Sequence, residues 1–108
     1  MDNSVEAQLQ RLATAGNDAL DLYEKGEVGF RWLVSQLKAV VSMAEHIADP
    51  DWAAAARQAW GRLEITSAAM YSENRKVPTA EMQHVITAAI GTLRELLKQQ
   101  MGLGHSQD

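Results

Sequence analysis

Apolar residues recur every three or four positions in four separate stretches of this chain, and this spacing constrains the fold more than any other feature. It is the period of an amphipathic helix, which has about 3.6 residues per turn. No stretch alternates apolar and polar residues with the period of two that a half-buried strand requires. The second stretch shows the helical period most clearly, with Phe30, Leu33, Val34, Leu37, Val40, Val41, Ala44 and Ile47. The pattern predicts an all-α fold.

Capping and helix-breaking residues divide the pattern into four helices. The first is predicted to begin near Ser4, and Gly26 is well placed to end it in a left-handed conformation. Asp49 followed by Pro50 marks the start of the third helix, and Thr79 is a suitable N-cap for the fourth. Short connections favour antiparallel neighbours, so the sequence predicts a four-helix antiparallel up-down-up-down bundle.

Chain length and composition suit a single small domain. The 108 residues suffice for one core, which we expect to span residues 1–101, followed by a disordered tail over 102–108. The sequence has no cysteine, which favours a reducing compartment. It has neither the start of a secretory signal nor the roughly 18–20 apolar residues of a membrane span, so a cytoplasmic location is expected.

Charge is unevenly distributed along the chain. The formal net charge is −4, and the part up to Asp51 holds nine acidic residues against four basic ones. Nucleic acids and anionic membranes attract clustered lysine and arginine, so this balance argues against both as partners. It favours a basic protein.

Two groups of acidic residues are candidate binding sites for such a protein. One follows the end of the first helix at intervals of three residues, and we call it the acidic ridge: Asp18, Asp21, Glu24 and Glu27. Like charges here oppose the helix dipole, so a binding role is as good an interpretation as ordinary solvation. The other group, Glu45, Asp49 and Asp51, lies near the opposite end of the second helix. We expect the ridge to be the main contact.

Three further residues of the third helix have competing interpretations. Trp60 is expected in the core, whereas Trp52, in the first turn, either closes the end of the core or is partly exposed as an interface anchor. Glu64 borders the apolar stripe and is expected to need a partner. That partner is either internal, with Arg31 or a tyrosine as candidates, or a basic residue of a bound protein.

No set of residues predicts catalysis. The sequence contains no HExxH, P-loop or GxGxxG motif, and no histidine has a second one three or four residues away. Glu45, His46 and Asp49 are the best candidates for a metal site, but a solvated helix end explains them more simply. We expect no catalytic residue, no metal and no cofactor, and therefore no enzyme.

Several segments together resemble a known family. In order, they are LYEKGEVGFRWLV, DPDW, AWGRLE and ITAAIGTLRELL. This layout resembles the small all-helical immunity proteins that bacteria encode beside toxins, including the group similar to the colicin D immunity protein. The likeness covers about residues 8–98 and rests on the helix order and on Gly26–Phe30 and Trp60–Glu64. Gly29 departs from it, since these proteins often have serine or threonine before the second helix.

The resemblance implies binding rather than catalysis. Such a protein binds a cognate toxin, commonly a nuclease, and blocks its active site with acidic side chains that take the place of nucleic-acid phosphates. The alternative from a different class is a non-catalytic homodimeric helical module with a structural or regulatory role. In that module, an exposed Trp52 and the tyrosines would form a self-complementary contact.

Overall fold

The computed structural model describes residues 4–101 as four α-helices. They are α1 (Val5–Glu24), α2 (Phe30–Ala44), α3 (Pro50–Ser72) and α4 (Ala80–Gln100). No strand occurs among residues 4–101. The all-α prediction is confirmed, whereas the tail predicted over 102–108 lies outside the described residues.

Each helix packs against two others and the four close into a bundle. Helix α1 contacts α2 and α4, and α3 contacts the same two helices, while the diagonal pairs do not pack together in the described part of the chain. Trp52 at the start of α3 bonds to Leu96 near the end of α4, so these helices are antiparallel. We call each contact between two helices a seam. In this arrangement the α1–α4 seam and the α2–α3 seam lie on opposite sides of the bundle.

Polar side chains start three of the helices, as the sequence indicates. Ser4 accepts a hydrogen bond from the Ala7 N–H at 3.1 Å, and Thr79 accepts one from the Met82 N–H at 3.0 Å. The Asp49 carboxylate accepts from the first-turn amides of α3, at 3.0 and 3.3 Å. These bonds satisfy amides that have no partner inside the helix. The predicted starts of α1, α3 and α4 are confirmed.

The end of α1 follows the Schellman pattern. Gly26 has φ +77°, its N–H donates to the Tyr23 carbonyl at 3.0 Å, and the Glu27 N–H donates to the Leu22 carbonyl at 2.9 Å. A left-handed residue at this position costs least when it is glycine. The predicted role of Gly26 is confirmed.

Helix α3 ends in the same way without a glycine. Asn74 has φ +57°, and the Arg75 N–H donates to the Met70 carbonyl at 2.8 Å. Asparagine tolerates the left-handed conformation better than other side chains do. This turn places Arg75 at the same end of the bundle as the α1–α2 connection.

Helix α2 is shorter than its apolar stripe suggests. It ends at Ala44, whose carbonyl accepts from the amides of both Ile47 and Ala48, at 3.0 and 2.8 Å. The chain therefore closes in a tight turn before α3. Ile47 still packs against the core.

The predicted stripes form the core with a few exceptions. The largest fully buried side chains are Leu20, Leu33, Leu37, Leu63, Ile86, Leu93 and Leu97. Val5, Tyr71 and Val85 fit the helical period of the first, third and fourth stretches, which predicts them in the core, but they are exposed. Val5 and Tyr71 lie in the terminal turns of their helices, and Val85 lies at the edge of its stripe.

Gly16 allows α1 to approach its neighbours closely. A Cβ atom at this position would lie 3.1 Å from Leu97 Cδ1 and 3.3 Å from Val40 Cγ1. A glycine inside a helix costs about 1 kcal/mol relative to alanine. The close packing of α2 and α4 around it offsets that cost, and α1 continues through this position without interruption.

Candidate functional site

Two carboxylates of the acidic ridge, those of Asp21 and Glu24, lie at the α1–α4 seam, where Arg94 of α4 reaches both. The Arg94 guanidinium lies 3.1 Å from Asp21 Oδ1 and 2.7 Å from Glu24 Oε1, and it donates to Asn17 Oδ1 at 2.6 Å. The acidic side chains stay 46 % and 51 % exposed. Arg94 therefore holds these carboxylates in place and leaves about half of their surface accessible.

Arg94 does not pair with the other two carboxylates of the ridge. Asp18 and Glu27 are exposed and make no ion pair within residues 4–101. Arg94 pairs with two of the four carboxylates, and Arg11 lines the same pocket as Asp18, so the ridge keeps a net negative charge. Arg94 fixes the side chains of Asp21 and Glu24, whereas those of Asp18 and Glu27 can change their rotamers.

We expect Arg94→Met to destabilise the bundle by about 1 kcal/mol. The substitution keeps most of the packing of the arginine stem but removes its bonds to Asn17, Asp21 and Glu24. The estimate is modest because exposed ion pairs contribute little individually and gain only as a network. Urea unfolding of the variant measures this effect.

Arg62→Met is the matched control. Arg62 is exposed and has no ion pair in the described part of the chain. Its substitution should change the free energy of unfolding by less than about 0.5 kcal/mol. Equal effects of the two variants would show that the Arg94 network does not stabilise the α1–α4 seam.

Most of the second acidic group serves the fold. Glu45 pairs with Arg57 of α3, and Asp49 caps α3. Asp51 is exposed in the first turn of α3, where a negative charge favours the helix dipole. Of the two groups, the acidic ridge has more carboxylates that neither pair with a cation nor cap a helix within the described residues.

Of the two interpretations of Trp52, the structure agrees with the one in which it closes the end of the core, and not with a partly exposed interface anchor. Its side chain is only 7 % exposed, and its indole N–H donates to the Leu96 carbonyl at 2.8 Å. Because Trp52 packs in the bundle with its single donor already used, it cannot serve as an interface anchor. The core assignment of Trp60 is confirmed, since it is buried and donates to the Val34 carbonyl at 3.0 Å.

The exposed tryptophan of α2 was not predicted from the sequence. Trp32 of α2 is 40 % exposed. It lies immediately before Leu33 and outside the stripe of α2. That position is the signal by which its exposure could have been predicted.

Glu64 is exposed next to the buried Leu63, and of its two interpretations the internal partner is the one that the structure contradicts. It makes no ion pair among residues 4–101, because its carboxylate is in contact with solvent and needs none. Arg31, one of the suggested partners, lies instead over the ring of Tyr71, 5.1 Å from the ring centroid. A role of Glu64 in binding another protein stays a prediction.

A groove of about 320 Å³ opens between the start of α2 and the end of α3. We call it the basic groove, and its lining residues are Gly29, Phe30, Arg31, Ser67, Met70, Tyr71, Arg75 and Lys76. Arg75 pairs with Glu73 at 2.6 Å, whereas Arg31 and Lys76 have no carboxylate partner within residues 4–101. The groove was not predicted from the sequence, because its cations come from segments far apart in the chain.

One side of the basic groove is supported by an aromatic pair. The Phe30 ring lies 5.8 Å from that of Tyr23, with an interplanar angle of 49°. The Tyr23 hydroxyl is neutral at physiological pH even with its usual pKa, and burial raises that pKa further. The wall behind Phe30 is therefore uncharged.

Two further observations concern the described residues only. No three His, Cys, Asp or Glu side chains of residues 4–101 lie close enough to share a metal ion. None of the four helices combines the length and the hydrophobicity that crossing a membrane requires.

Comparison with known proteins adds no relative. No protein-family model matches the chain, and no curated protein or solved structure matches it.

Proposed function

We propose that this chain is an immunity-type protein, a non-catalytic inhibitor that binds a basic bacterial toxin domain through the acidic ridge in the cytoplasm. The observation that carries the proposal is the state of the ridge. Asp18 and Glu27 are unpaired within the described residues, and Asp21 and Glu24 are fixed by Arg94 yet half exposed. A nuclease toxin would present a cationic cleft of complementary charge.

The arrangement around Arg94 favours binding in a second way. A side chain that is already ordered loses less conformational entropy when a partner binds. Arg94 orders Asp21 and Glu24 without neutralising the ridge as a whole. The remaining negative potential would steer a basic partner and raise its association rate.

The fold supports the proposal to a lesser degree. The resemblance to small immunity proteins implies an all-helical layout, and the described part of the chain consists of four helices. Three of the four ridge residues lie on α1, so a partner would meet a surface on a regular helix. Many helical bundles share these features, so the negative charge of the ridge is stronger support for binding than the fold is.

Co-expression with the protein encoded by the neighbouring gene tests this function. We expect the tagged chain to recover that protein as a stable one-to-one complex and to abolish its toxicity to the host cell. A neighbouring product that is not toxic, or a toxic one that the chain neither binds nor neutralises, would contradict the proposal.

A further inference from the structure

The basic groove is a positively charged site on a negatively charged chain. Arg31, Arg75 and Lys76 line it, and none of the described residues that line it is acidic. Glu73, which does not line the groove, pairs with Arg75, whereas Arg31 and Lys76 have no carboxylate partner within residues 4–101. The groove therefore keeps a positive charge although the chain as a whole carries −4.

Arg31 is held in place while its hydrogen-bond donors stay available. Its guanidinium lies over the Tyr71 ring, 5.1 Å from the ring centroid. This contact uses the face of the ring and no hydrogen bond, and the Arg31 N–H groups donate to no acceptor in the described part of the chain. A carboxylate can accept two such N–H bonds at once. Because Tyr71 already restrains Arg31, this binding costs less side-chain entropy than at a free arginine.

Apolar side chains lie beside the cations in the same groove. Met70 is buried, Phe30 is half-buried, and Tyr71 is 74 % exposed. Aromatic residues, methionine and arginine are enriched at the centres of protein interfaces. An apolar side chain of a partner would bury its surface against these three residues while neighbouring carboxylates of the partner meet the cations. The groove thus combines contacts for charge with contacts for apolar surface.

We propose that the basic groove binds a short acidic segment of another protein, with one apolar side chain in the groove and carboxylates on Arg31 and Lys76. The volume of about 320 Å³ is near the lower end of the range for ligand pockets, about 300–1,000 Å³, so the groove accommodates a few side chains. Nucleic acid is a poorer fit, because its binding depends on many clustered cations and this chain is negative overall.

This site is separate from the acidic ridge. The groove opens at the α2–α3 seam, whereas Arg94 meets Asp21 and Glu24 at the α1–α4 seam on the opposite side of the bundle. Glu27 lies two residues before Gly29 but does not line the groove. Two partners of opposite charge therefore have different contact surfaces, and the acidic segment does not depend on the proposed inhibition of a toxin.

Fluorescence anisotropy with labelled synthetic peptides tests this site on the full chain. The probe is a short peptide with one phenylalanine between aspartate and glutamate residues, and its control has asparagine and glutamine at the acidic positions. We expect the acidic peptide to bind with a Kd below about 1 mM and the neutral peptide to bind at least about tenfold more weakly. The affinity for the acidic peptide should fall as ionic strength rises. Replacing its phenylalanine with alanine should also weaken binding.

A variant of the groove locates the binding. Arg31→Gln with Lys76→Gln removes both unpaired cations and should weaken binding of the acidic peptide at least about tenfold. The matched control, Lys38→Gln with Arg62→Gln, removes the same charge from exposed positions outside the groove and should bind within about threefold of the wild type. Circular dichroism identifies any variant that fails to fold, and the comparison of acidic and neutral peptides needs only the wild type.

Several outcomes would overturn the proposed site. They are an acidic peptide that does not bind below about 1 mM, equal binding of the acidic and neutral peptides, equal binding by the wild type and the groove variant, and tighter binding of a thymidine oligonucleotide of the same charge. Sedimentation of the chain alone tests another occupant: a wild type that dimerises where the groove variant stays monomeric would assign the groove to a second copy. No toxin takes part, so failure here leaves the proposed inhibition intact, and the reverse also holds.

Discussion

Replacing Trp60 with alanine should lower the free energy of unfolding by about 3–5 kcal/mol. The indole is buried between α3 and α2 and donates to the Val34 carbonyl, so its removal leaves a cavity and one lost hydrogen bond. For a chain of this size, such a loss lowers the thermal midpoint by more than about 10 °C. Urea and thermal unfolding followed by circular dichroism measure both quantities.

Trp32→Ala is the control for this experiment. It removes the same side chain from an exposed position on α2, so we expect a loss below about 1 kcal/mol. A thermal midpoint that barely changes in Trp60→Ala would mean that the wrong tryptophan has been placed in the core. Equal losses in both variants would mean that Trp32 is also packed.

The double variant Asp18→Lys with Glu27→Lys should weaken binding to the toxin domain by about 2–4 kcal/mol. Both side chains are exposed and lack an internal ion pair within residues 4–101, so their reversal spares the Arg94 network and the fold. The loss should shrink as ionic strength rises, because salt screens charges at an exposed interface. Titration calorimetry at low and high ionic strength measures both effects.

Glu6→Lys with Glu95→Lys separates a local effect from a change in total charge. It shifts the net charge equally but leaves the acidic ridge intact. We expect it to reduce the affinity by less than about 1 kcal/mol. If the two double variants bind the toxin domain equally well, the ridge is not the binding surface.

Local sequence signals predicted most of the helix limits, although α2 ends before its apolar stripe does. Asp49 and Thr79 cap their helices because a short polar side chain reaches the free amides of its own first turn. Gly26 ends α1 for a similarly local reason. The stripe of α2 also identified its core residues, since the helical period alone decides which side chains share a face.

Contacts between helices were beyond the reach of the sequence. Arg94 pairs with Asp21 and Glu24 only because α1 and α4 pack in one particular register. The same limit applies to the burial of Trp52. It depends on the packing of α3 against α4, where the indole N–H of Trp52 donates to a carbonyl near the far end of α4. Trp32, by contrast, lies outside the stripe of its own helix, so the local pattern alone could have predicted that it is exposed.

The four seams also differ in how the chain must assemble them. Three join helices that follow each other directly, whereas the α1–α4 seam brings together residues as distant as Asn17 and Arg94. Closing a longer loop costs more entropy, and contacts distant in sequence generally form later in folding. The network around Arg94 would then form after the rate-limiting step. Its strength would set how slowly the native bundle opens and would have little effect on how fast the bundle forms.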